Sequence, residues 1–136
     1  VLEVGNGSGY LTACLGRLAT NVVSLDIIPE FTEAARNKLR AHGFNNIVLH
    51  SGDASQGWGT HRFNVIALTG SVATVSDEWR QSLSLGGRLF VVAGKPPALQ
   101  ALLITRAGER EWVQESLFET DLAPLRNAAP IQKFVF

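Results

Sequence analysis

The sequence predicts an α/β fold, a doubly wound and mostly parallel sheet that ends in an antiparallel C-terminal hairpin. Three observations predict it. Short apolar runs alternate with helical patterns along most of the chain, which is typical of βαβ units. A glycine-rich loop separates the first apolar run from the first helical pattern. Beyond Pro96 and Pro97, two further apolar runs flank Gly108, as expected of a long hairpin.

The first half of the chain is predicted to alternate strictly between strands and helices. Leu11, Cys14 and Leu18 recur at helical spacing, and Pro29 suits the first turn of a second helix. Gly43 is a favourable residue just past the end of that second helix. The predicted elements are a strand at 1–4, a helix at 10–18, a strand at 22–26, a helix from 29 to about 42, and a strand at 47–50.

The second half is predicted to complete the parallel sheet and then to add the hairpin. We expect a fourth strand at 62–68, a helix within 72–85 and a fifth strand at 88–92. Gly86 and Gly87 are expected to form the turn between that helix and the fifth strand. The hairpin strands are predicted at 101–105 and 112–118. Because no internal repeat or linker is visible, we expect one domain spanning 1–136.

Composition excludes several classes of function. The chain has 136 residues, 12 basic and 12 acidic, so its formal net charge is zero. A nucleic-acid clamp or a polybasic membrane anchor needs surplus cations, so neither nucleic acid nor membrane is expected as a partner. The single cysteine, Cys14, predicts a cytoplasmic protein without disulfides. The three histidines show no spacing with cysteine or aspartate that suggests a metal site.

The start of the sequence predicts that a segment is missing from it. The chain contains no methionine and opens directly on the apolar run Val1-Leu2-Glu3-Val4, without a cap or polar lead-in. We therefore expect the natural protein to continue upstream of Val1. The oligomeric state is not predicted by any feature of the sequence.

The glycine-rich loop has the sequence Gly-x-Gly-x-Gly, formed by Gly5, Gly7 and Gly9, with Glu3 just before it. Glycines allow a sharp turn and let a ligand approach the backbone closely. The spacing differs from the dinucleotide fingerprint Gly-x-Gly-x-x-Gly, because Tyr10 stands where the third glycine belongs. A carboxylate beside this loop would repel a pyrophosphate, but it suits a ligand that carries an ammonium group.

Two further acids follow predicted strands. Asp26 ends the second strand, where a carboxylate can accept hydrogen bonds from both hydroxyls of a ribose. Asp53 ends the third strand and could accept a hydrogen bond from an adenine amino group, although Gly52-Asp53 could equally be an ordinary turn. Since open α/β sheets bind ligands at the carboxyl ends of their strands, these acids predict a nucleoside site.

This ordered series resembles the protein-L-isoaspartate O-methyltransferase family, a branch of the S-adenosylmethionine-dependent methyltransferases. The resemblance extends over roughly residues 1–106. The matching stretches are Val1 to Tyr10 with Thr12-Ala13, Val23 to Asp26 with Ile28-Pro29-Glu30, Gly43 to Asn46, Gly52-Asp53 with Gly57-Trp58, Leu85 to Leu89, and Leu102 to Arg106.

The resemblance implies a Rossmann-like sheet that binds S-adenosylmethionine. It implies that the methionine part lies over the loop from Gly5 through Asn6 and Gly7 to Gly9, with Glu3 near its amino group. It further implies that Asp26 holds the ribose and that Ile27 covers the adenine. The adenine edge would be read by Asp53 and the backbone of Ala54.

The resemblance also implies an activity, methylation of the carboxylate of L-isoaspartyl residues in damaged proteins. Such a carboxylate is already ionised at neutral pH, so the reaction needs placement and exclusion of water rather than a general base. We therefore expect no catalytic histidine or cysteine in this chain. The catalytic residues of the family's substrate side are expected upstream of Val1.

Several departures from the family pattern lie on the substrate side. Thr69-Gly70-Ser71 stands where the family has Thr-Ala-Ala, Asn64 replaces an aspartate, and the tail 121–136 lacks the Arg-Phe-Val-Pro-Leu type of ending. Thr69 and Ser71 are candidate substrate contacts, or ordinary loop residues.

Three other functions remain open. They are a methyltransferase for a different substrate, a module that binds S-adenosylmethionine without catalysis, and a nicotinamide-dependent dehydrogenase. The loop spacing disfavours the dehydrogenase.

Overall fold

The computed structural model describes residues 1–128 and contains one seven-stranded sheet with the strand order β3-β2-β1-β4-β5-β6-β7. β1 to β5 pair in parallel, and β6 and β7 are added antiparallel to the β5 side. The fold class predicted from the sequence is therefore confirmed. The elements are β1 Leu2–Val4, α1 Tyr10–Leu18, β2 Val22–Asp26, α2 Pro29–Ala41, β3 Ile47–Ser51, β4 Phe63–Val72, α3 Asp77–Gln81, β5 Leu83–Lys95, β6 Ala98–Gly108 and β7 Glu111–Thr120.

Helices cover both faces of the sheet. The side chain of Glu3 in β1 accepts a hydrogen bond from Thr12 of α1, so it points to the face on which α1 lies. Its neighbours Leu2 and Val4 point to the opposite face, because side chains alternate along a strand. There they join the main apolar cluster, which includes Trp79 of α3. The sheet is thus doubly wound, as the alternation of strands and helices predicted.

Close packing holds α1 against the strands beside it. Gly16 is buried, and a Cβ atom at this position would lie 2.7 Å from the Cδ1 atom of Ile47. The side-chain amide of Asn46 donates hydrogen bonds to the carbonyl oxygens of Gly16 and Ala19, at 2.8 and 3.0 Å. These two bonds satisfy carbonyl groups at the end of the helix that have no partner within it. The end of α1 is therefore fixed to the loop before β3.

The region between β4 and β5 differs from the prediction. The helix expected within 72–85 is only the five-residue α3, because β4 extends to Val72 and β5 already begins at Leu83. Gly86 and Gly87 do not form a turn after the helix and lie inside β5. Their place coincides with a jump in strand pairing, from Phe63–Leu83 to Val65–Arg88. Gly86 has φ +76°, a conformation that glycine adopts readily, so the glycines mark an irregularity within a strand.

A buried arginine joins the hairpin to the centre of the molecule. Arg106 of β6 is 4% exposed. Its guanidinium donates to the carbonyl oxygens of Leu83 at 2.7 Å and Glu109 at 2.6 Å, and more weakly to those of Gln81 and Gly108 at 3.3 Å. One charged group therefore ties the hairpin turn to the segment that connects α3 and β5.

Replacing Arg106 by Met should destabilise the protein by about 2 to 4 kcal/mol, since buried carbonyl groups lose their donors. Urea unfolding measures the change. Arg110→Met, at an exposed position of the same hairpin turn, is the control and should change the free energy of unfolding by less than about 0.5 kcal/mol. Equal effects of the two substitutions would contradict the anchoring role of Arg106.

Candidate cofactor-binding site

The glycine loop after β1 requires glycine at several positions for backbone reasons. Gly5, Gly7 and Gly9 have φ values of +96°, +47° and +85°, in the left-handed region that other residues rarely adopt. At Gly5 a Cβ atom would also lie 2.1 Å from the hydroxyl oxygen of Thr69, which is far inside contact distance. The loop therefore packs directly against β4 as well as turning sharply.

The end of β2 holds the other side of this loop. The amides of Gly5 and Asn6 both donate to the carbonyl oxygen of Leu25, at 2.7 and 3.1 Å. The carboxylate of Asp26 accepts the amide of Gly7 on Oδ2 and the amide of Ile28 on Oδ1, each at 3.0 Å. Since each carboxylate oxygen can accept two hydrogen bonds, Asp26 keeps acceptor capacity for a ligand. This aspartate is only 8% exposed, so its orientation is fixed before any ligand arrives.

A small cavity opens beside the loop at the carboxyl ends of β1, β2 and β4. Its volume is about 200 Å³, and it is lined by residues 4–5, 25–28, 52–55, 69–70 and 123–126. Six of the predicted site residues line this one cavity. They are Gly5, Asp26, Ile27, Asp53, Ala54 and Thr69.

The remaining predicted residues do not line the cavity; they are Glu3, Asn6, Gly7, Gly9 and Ser71. Glu3 is fully buried, and its Oε2 atom accepts hydrogen bonds from the hydroxyls of Thr12 at 2.6 Å and Ser24 at 2.7 Å. Its Oε1 atom, like both polar atoms of the Asn6 amide, has no hydrogen-bond partner among residues 1–128. Unpaired polar atoms in so buried a place are costly.

The environment of Glu3 disfavours its charged form. Burial raises the pKa of its carboxyl group above the ordinary value, the hydrogen bonds from Thr12 and Ser24 oppose this effect, and the negative charge of Asp26 adds to it. A cation close to Oε1 would supply the missing partner.

Asp53 lies in the opposite kind of environment. Its exposed carboxylate accepts the amide of Ser55 on Oδ1 and the side-chain amide of Asn127 on Oδ2, both at 2.9 Å. These hydrogen bonds, that from the Ser55 backbone first, hold the pKa of Asp53 below its usual value. The carboxylate is therefore charged at neutral pH and faces the cavity as an acceptor.

The C-terminal segment, residues 121–128, is a part of the site that sequence reasoning missed. It lies along the end of β4, where the Ser71 amide donates to the Ala123 carbonyl at 2.9 Å and the Leu125 amide donates to the Ser71 carbonyl at 2.8 Å. Residues 123–126 consequently form one wall of the cavity. The apolar run Leu122 to Leu125 after the hairpin was the available signal. Residues 129–136, the rest of the tail discussed above, lie outside the described part of the chain.

The hydroxyls of Thr69 and Ser71, the two candidate substrate contacts, form hydrogen bonds to main-chain carbonyl oxygens of the protein. The Thr69 hydroxyl donates towards the carbonyl oxygens of Val4 and Gly5, at 2.7 and 2.8 Å, and Thr69 lines the cavity. The Ser71 hydroxyl is buried and donates to the carbonyl oxygen of Leu122 at 2.8 Å. Contact of either residue with a substrate stays a prediction.

Within residues 1–128 no group of three or more His, Cys, Asp or Glu side chains is arranged to hold a metal ion. No helix in the same range is long and apolar enough to cross a bilayer.

Comparison with known proteins identifies the family. Residues 1–129 match the family model for protein-L-isoaspartate(D-aspartate) O-methyltransferase. The chain belongs to this family. Protein-L-isoaspartate O-methyltransferase 2 of Pelobacter propionicus is 35% identical over 130 residues, which cover 94% of this chain and 58% of that protein. The chain thus spans less than two thirds of this relative's length.

Solved structures agree with the fold. A structure named protein-L-isoaspartate O-methyltransferase has a TM-score of 0.81 at 26% identity, covering 90% of this chain and 40% of its own. A Plasmodium falciparum structure with the same family name, in complex with S-adenosyl-L-homocysteine, has a TM-score of 0.80 at 17% identity. It covers 92% of this chain and 64% of its own. The predicted family resemblance and Rossmann-like fold are therefore confirmed.

The substitution Glu3→Gln tests the burial of the acid. Folding favours the protonated carboxyl of Glu3, because its pKa is higher in the folded than in the unfolded state. This stabilising contribution is complete below pH 4.5, the ordinary pKa, and it is lost as the pH rises through the pKa of the folded state. The free energy of unfolding of Glu3→Gln, relative to the parent, should therefore increase from pH 4 to pH 8. Urea titrations at several pH values measure this difference. The exposed Glu115→Gln is the matched control, and a flat difference for Glu3→Gln would contradict the account.

Proposed function

We propose that this chain is the S-adenosylmethionine-binding domain of an enzyme that methylates the carboxylate of L-isoaspartyl residues in damaged proteins. Membership in the isoaspartate methyltransferase family supports the reaction. The observation that carries the proposal is the cavity at the carboxyl edge of the sheet, which Asp26 and Asp53 line together with Gly5 of the glycine loop. Two carboxylates at neighbouring strand ends suit a nucleoside with a ribose diol and an exocyclic amine.

The residues present fit the adenosine part of this cofactor. Asp26 keeps free lone pairs for the ribose hydroxyls, and Ile27 offers an apolar surface for the adenine ring. Asp53 would accept the adenine amino group, next to the backbone of Ala54.

Glu3 before the glycine loop and residues within the loop fit the methionine part. Glu3 has a buried oxygen without a donor, and Asn6 has an unpaired amide that can both donate and accept. An ammonium group near Glu3 would offset the unfavourable burial of that carboxylate, and the amide of Asn6 could pair with a carboxylate or an ammonium. Gly7 and Gly9 would keep this stretch free of side chains.

The chemistry divides between cofactor and protein. When bound, the cofactor supplies a methyl group that is activated by the positive charge on its sulfur. The isoaspartyl carboxylate needs no general base, because its ordinary pKa is near 4 and it is ionised at neutral pH. The residues of this chain therefore bind and orient the cofactor, and the wall formed by residues 123–126 limits the access of water.

The proposal concerns the whole protein, because the match covers only 58% of the length of the Pelobacter propionicus relative. It includes the cytoplasmic location expected from the single cysteine, a damaged protein as partner, and residues 1–136 as one domain. Residues that would contact the isoaspartyl carboxylate are proposed to lie outside this chain.

A second function is favoured by one observation. The Ser71 hydroxyl, on the substrate side, already donates to the carbonyl oxygen of Leu122. A module that binds S-adenosylmethionine without transferring its methyl group would keep the glycine loop and the acidic residues of the cofactor site. Its substrate side would differ from that of the active family members.

One experiment separates the two functions. The protein is titrated with S-adenosyl-L-homocysteine by calorimetry and then incubated with methyl-labelled S-adenosylmethionine and an isoaspartyl peptide. Binding together with label on this peptide, and none on its aspartyl counterpart, is the expected result. Binding without transfer would favour the module, and no binding would contradict both functions.

Asp26→Asn should weaken the binding of S-adenosyl-L-homocysteine at least about tenfold, because a charged acceptor for the ribose hydroxyls is lost. Calorimetric titration gives the dissociation constants. Glu119→Gln removes an equal charge at an exposed position of β7 and should leave the affinity unchanged. Equal affinities of the Asp26→Asn variant and the parent would contradict the assignment of Asp26.

A further inference from the structure

β4 contains an irregular stretch at the point where it reaches the cavity. Ala67 pairs with Phe90 of β5, and the next paired residue, Ser71, lies opposite Val92. Three residues of β4 therefore lie opposite Val91 alone. They are Leu68, Thr69 and Gly70. Leu68 still pairs with β1, so Thr69 and Gly70 are the inserted residues. Such bulges redirect side chains and are common next to functional sites.

The first inserted residue, Thr69, packs against the start of the glycine loop and forms hydrogen bonds there. Its hydroxyl lies 2.7 Å from the carbonyl oxygen of Val4 and 2.8 Å from that of Gly5. It also occupies the space where a side chain at position 5 would begin, 2.1 Å from the ideal Cβ position. Because the amide of Gly5 is held from the opposite side by Leu25, the peptide units around Gly5 are clamped between β2 and β4.

The next two residues, Gly70 and Ser71, contact the C-terminal segment instead. Gly70 allows its close approach, since a Cβ atom at this position would lie 2.8 Å from the Cα atom of Leu125. Ser71 then makes three hydrogen bonds to the segment, through its amide, its carbonyl and its hydroxyl. One short stretch of β4 therefore contacts both the glycine loop and a wall of the cavity.

We propose that Thr69 and Ser71 are positioning residues, and that the stretch Thr69-Gly70-Ser71 couples the glycine loop to the docking of residues 121–128. This inference rests on the proposed function, because the ligand that the loop binds is taken to be S-adenosylmethionine. If the loop and the segment share one support, a ligand that orders the loop also stabilises the docked segment. By linkage, a docked segment then strengthens the binding of that ligand.

The hydrogen bonds of the Thr69 and Ser71 hydroxyls favour a positioning role over direct contact with the substrate. A hydroxyl group has a single hydrogen to donate, and an ionised carboxylate can only accept. The Thr69 and Ser71 hydroxyls already donate to main-chain carbonyl oxygens, so neither can donate to an isoaspartyl carboxylate while it keeps that bond.

The test compares Thr69→Val, which keeps the shape and loses the hydroxyl, with Thr69→Ser, which keeps the hydroxyl. Calorimetry with S-adenosyl-L-homocysteine should show at least about fivefold weaker binding for the valine variant and a change below about twofold for the serine variant. Thermal melts establish that each variant is folded. If Thr69→Val does not fold, Thr69→Ala is measured in its place.

Hydrogen exchange measures the coupling itself. S-adenosyl-L-homocysteine should slow amide exchange in the peptide that covers residues 121–128 of the parent and of Thr69→Ser. This slowing should be lost in Thr69→Val and in Ser71→Ala. Ser116→Ala, at an exposed position of β7, is the control and should behave as the parent.

The outcomes distinguish the two proposals. Parent-like affinity and exchange in Thr69→Val would overturn the positioning role while leaving the proposed function intact. A raised KM for the isoaspartyl peptide with unchanged affinity for S-adenosyl-L-homocysteine would also overturn it, in favour of substrate contact. Absence of any binding by the parent would contradict the proposed function and, with it, this inference.

Discussion

The site depends on how the backbone of the glycine loop is held from two sides. On the β2 side, the Leu25 carbonyl and the Asp26 carboxylate accept amides of the loop, and on the β4 side the Thr69 hydroxyl donates towards the Gly5 carbonyl. The loop has no side chain at Gly5 because the space is already filled by Thr69. Glycine is needed at this position both for packing within the protein and for its φ of +96°.

Three acids near this loop differ in what surrounds them. Glu3 is buried with two hydroxyl donors and one unpaired oxygen, so its charged form is disfavoured. Asp26 is buried but oriented by main-chain amides, and Asp53 is exposed and held in its charged form. An ammonium group, a ribose and an adenine amine would meet these three environments in turn. The arrangement explains how one sheet edge could distinguish the parts of a single nucleoside ligand.

The sequence was informative wherever local rules decide the structure. The strands and helices from β1 to α2 follow from glycine, proline and apolar spacing, and the acids at the strand ends follow from their place in those elements. The region from Val72 to Gly87 was predicted less well, because its apolar residues serve the end of β4, a short helix and an irregular start of β5. Gly86 and Gly87 are ambiguous in sequence, since a turn and an interruption inside a strand both favour glycine.

The C-terminal wall of the cavity was missed for a different reason, since the apolar run Leu122 to Leu125 does not show where the segment docks. Its docking uses main-chain hydrogen bonds between Ser71 and residues far along the chain, and such contacts leave no periodic pattern. The interaction of Asn127 with Asp53 is equally non-local, and so is the hydrogen bond from Thr69 to the Gly5 carbonyl. These contacts become visible only when the strands are in place.

A crystal structure of the protein with S-adenosyl-L-homocysteine would test the central claim most directly. Both ribose hydroxyls should lie within hydrogen-bond distance of the Asp26 carboxylate. The Gly5 carbonyl should keep its contact with the Thr69 hydroxyl. A nucleoside bound away from Asp26, or a glycine loop that leaves Thr69 when the ligand binds, would contradict it.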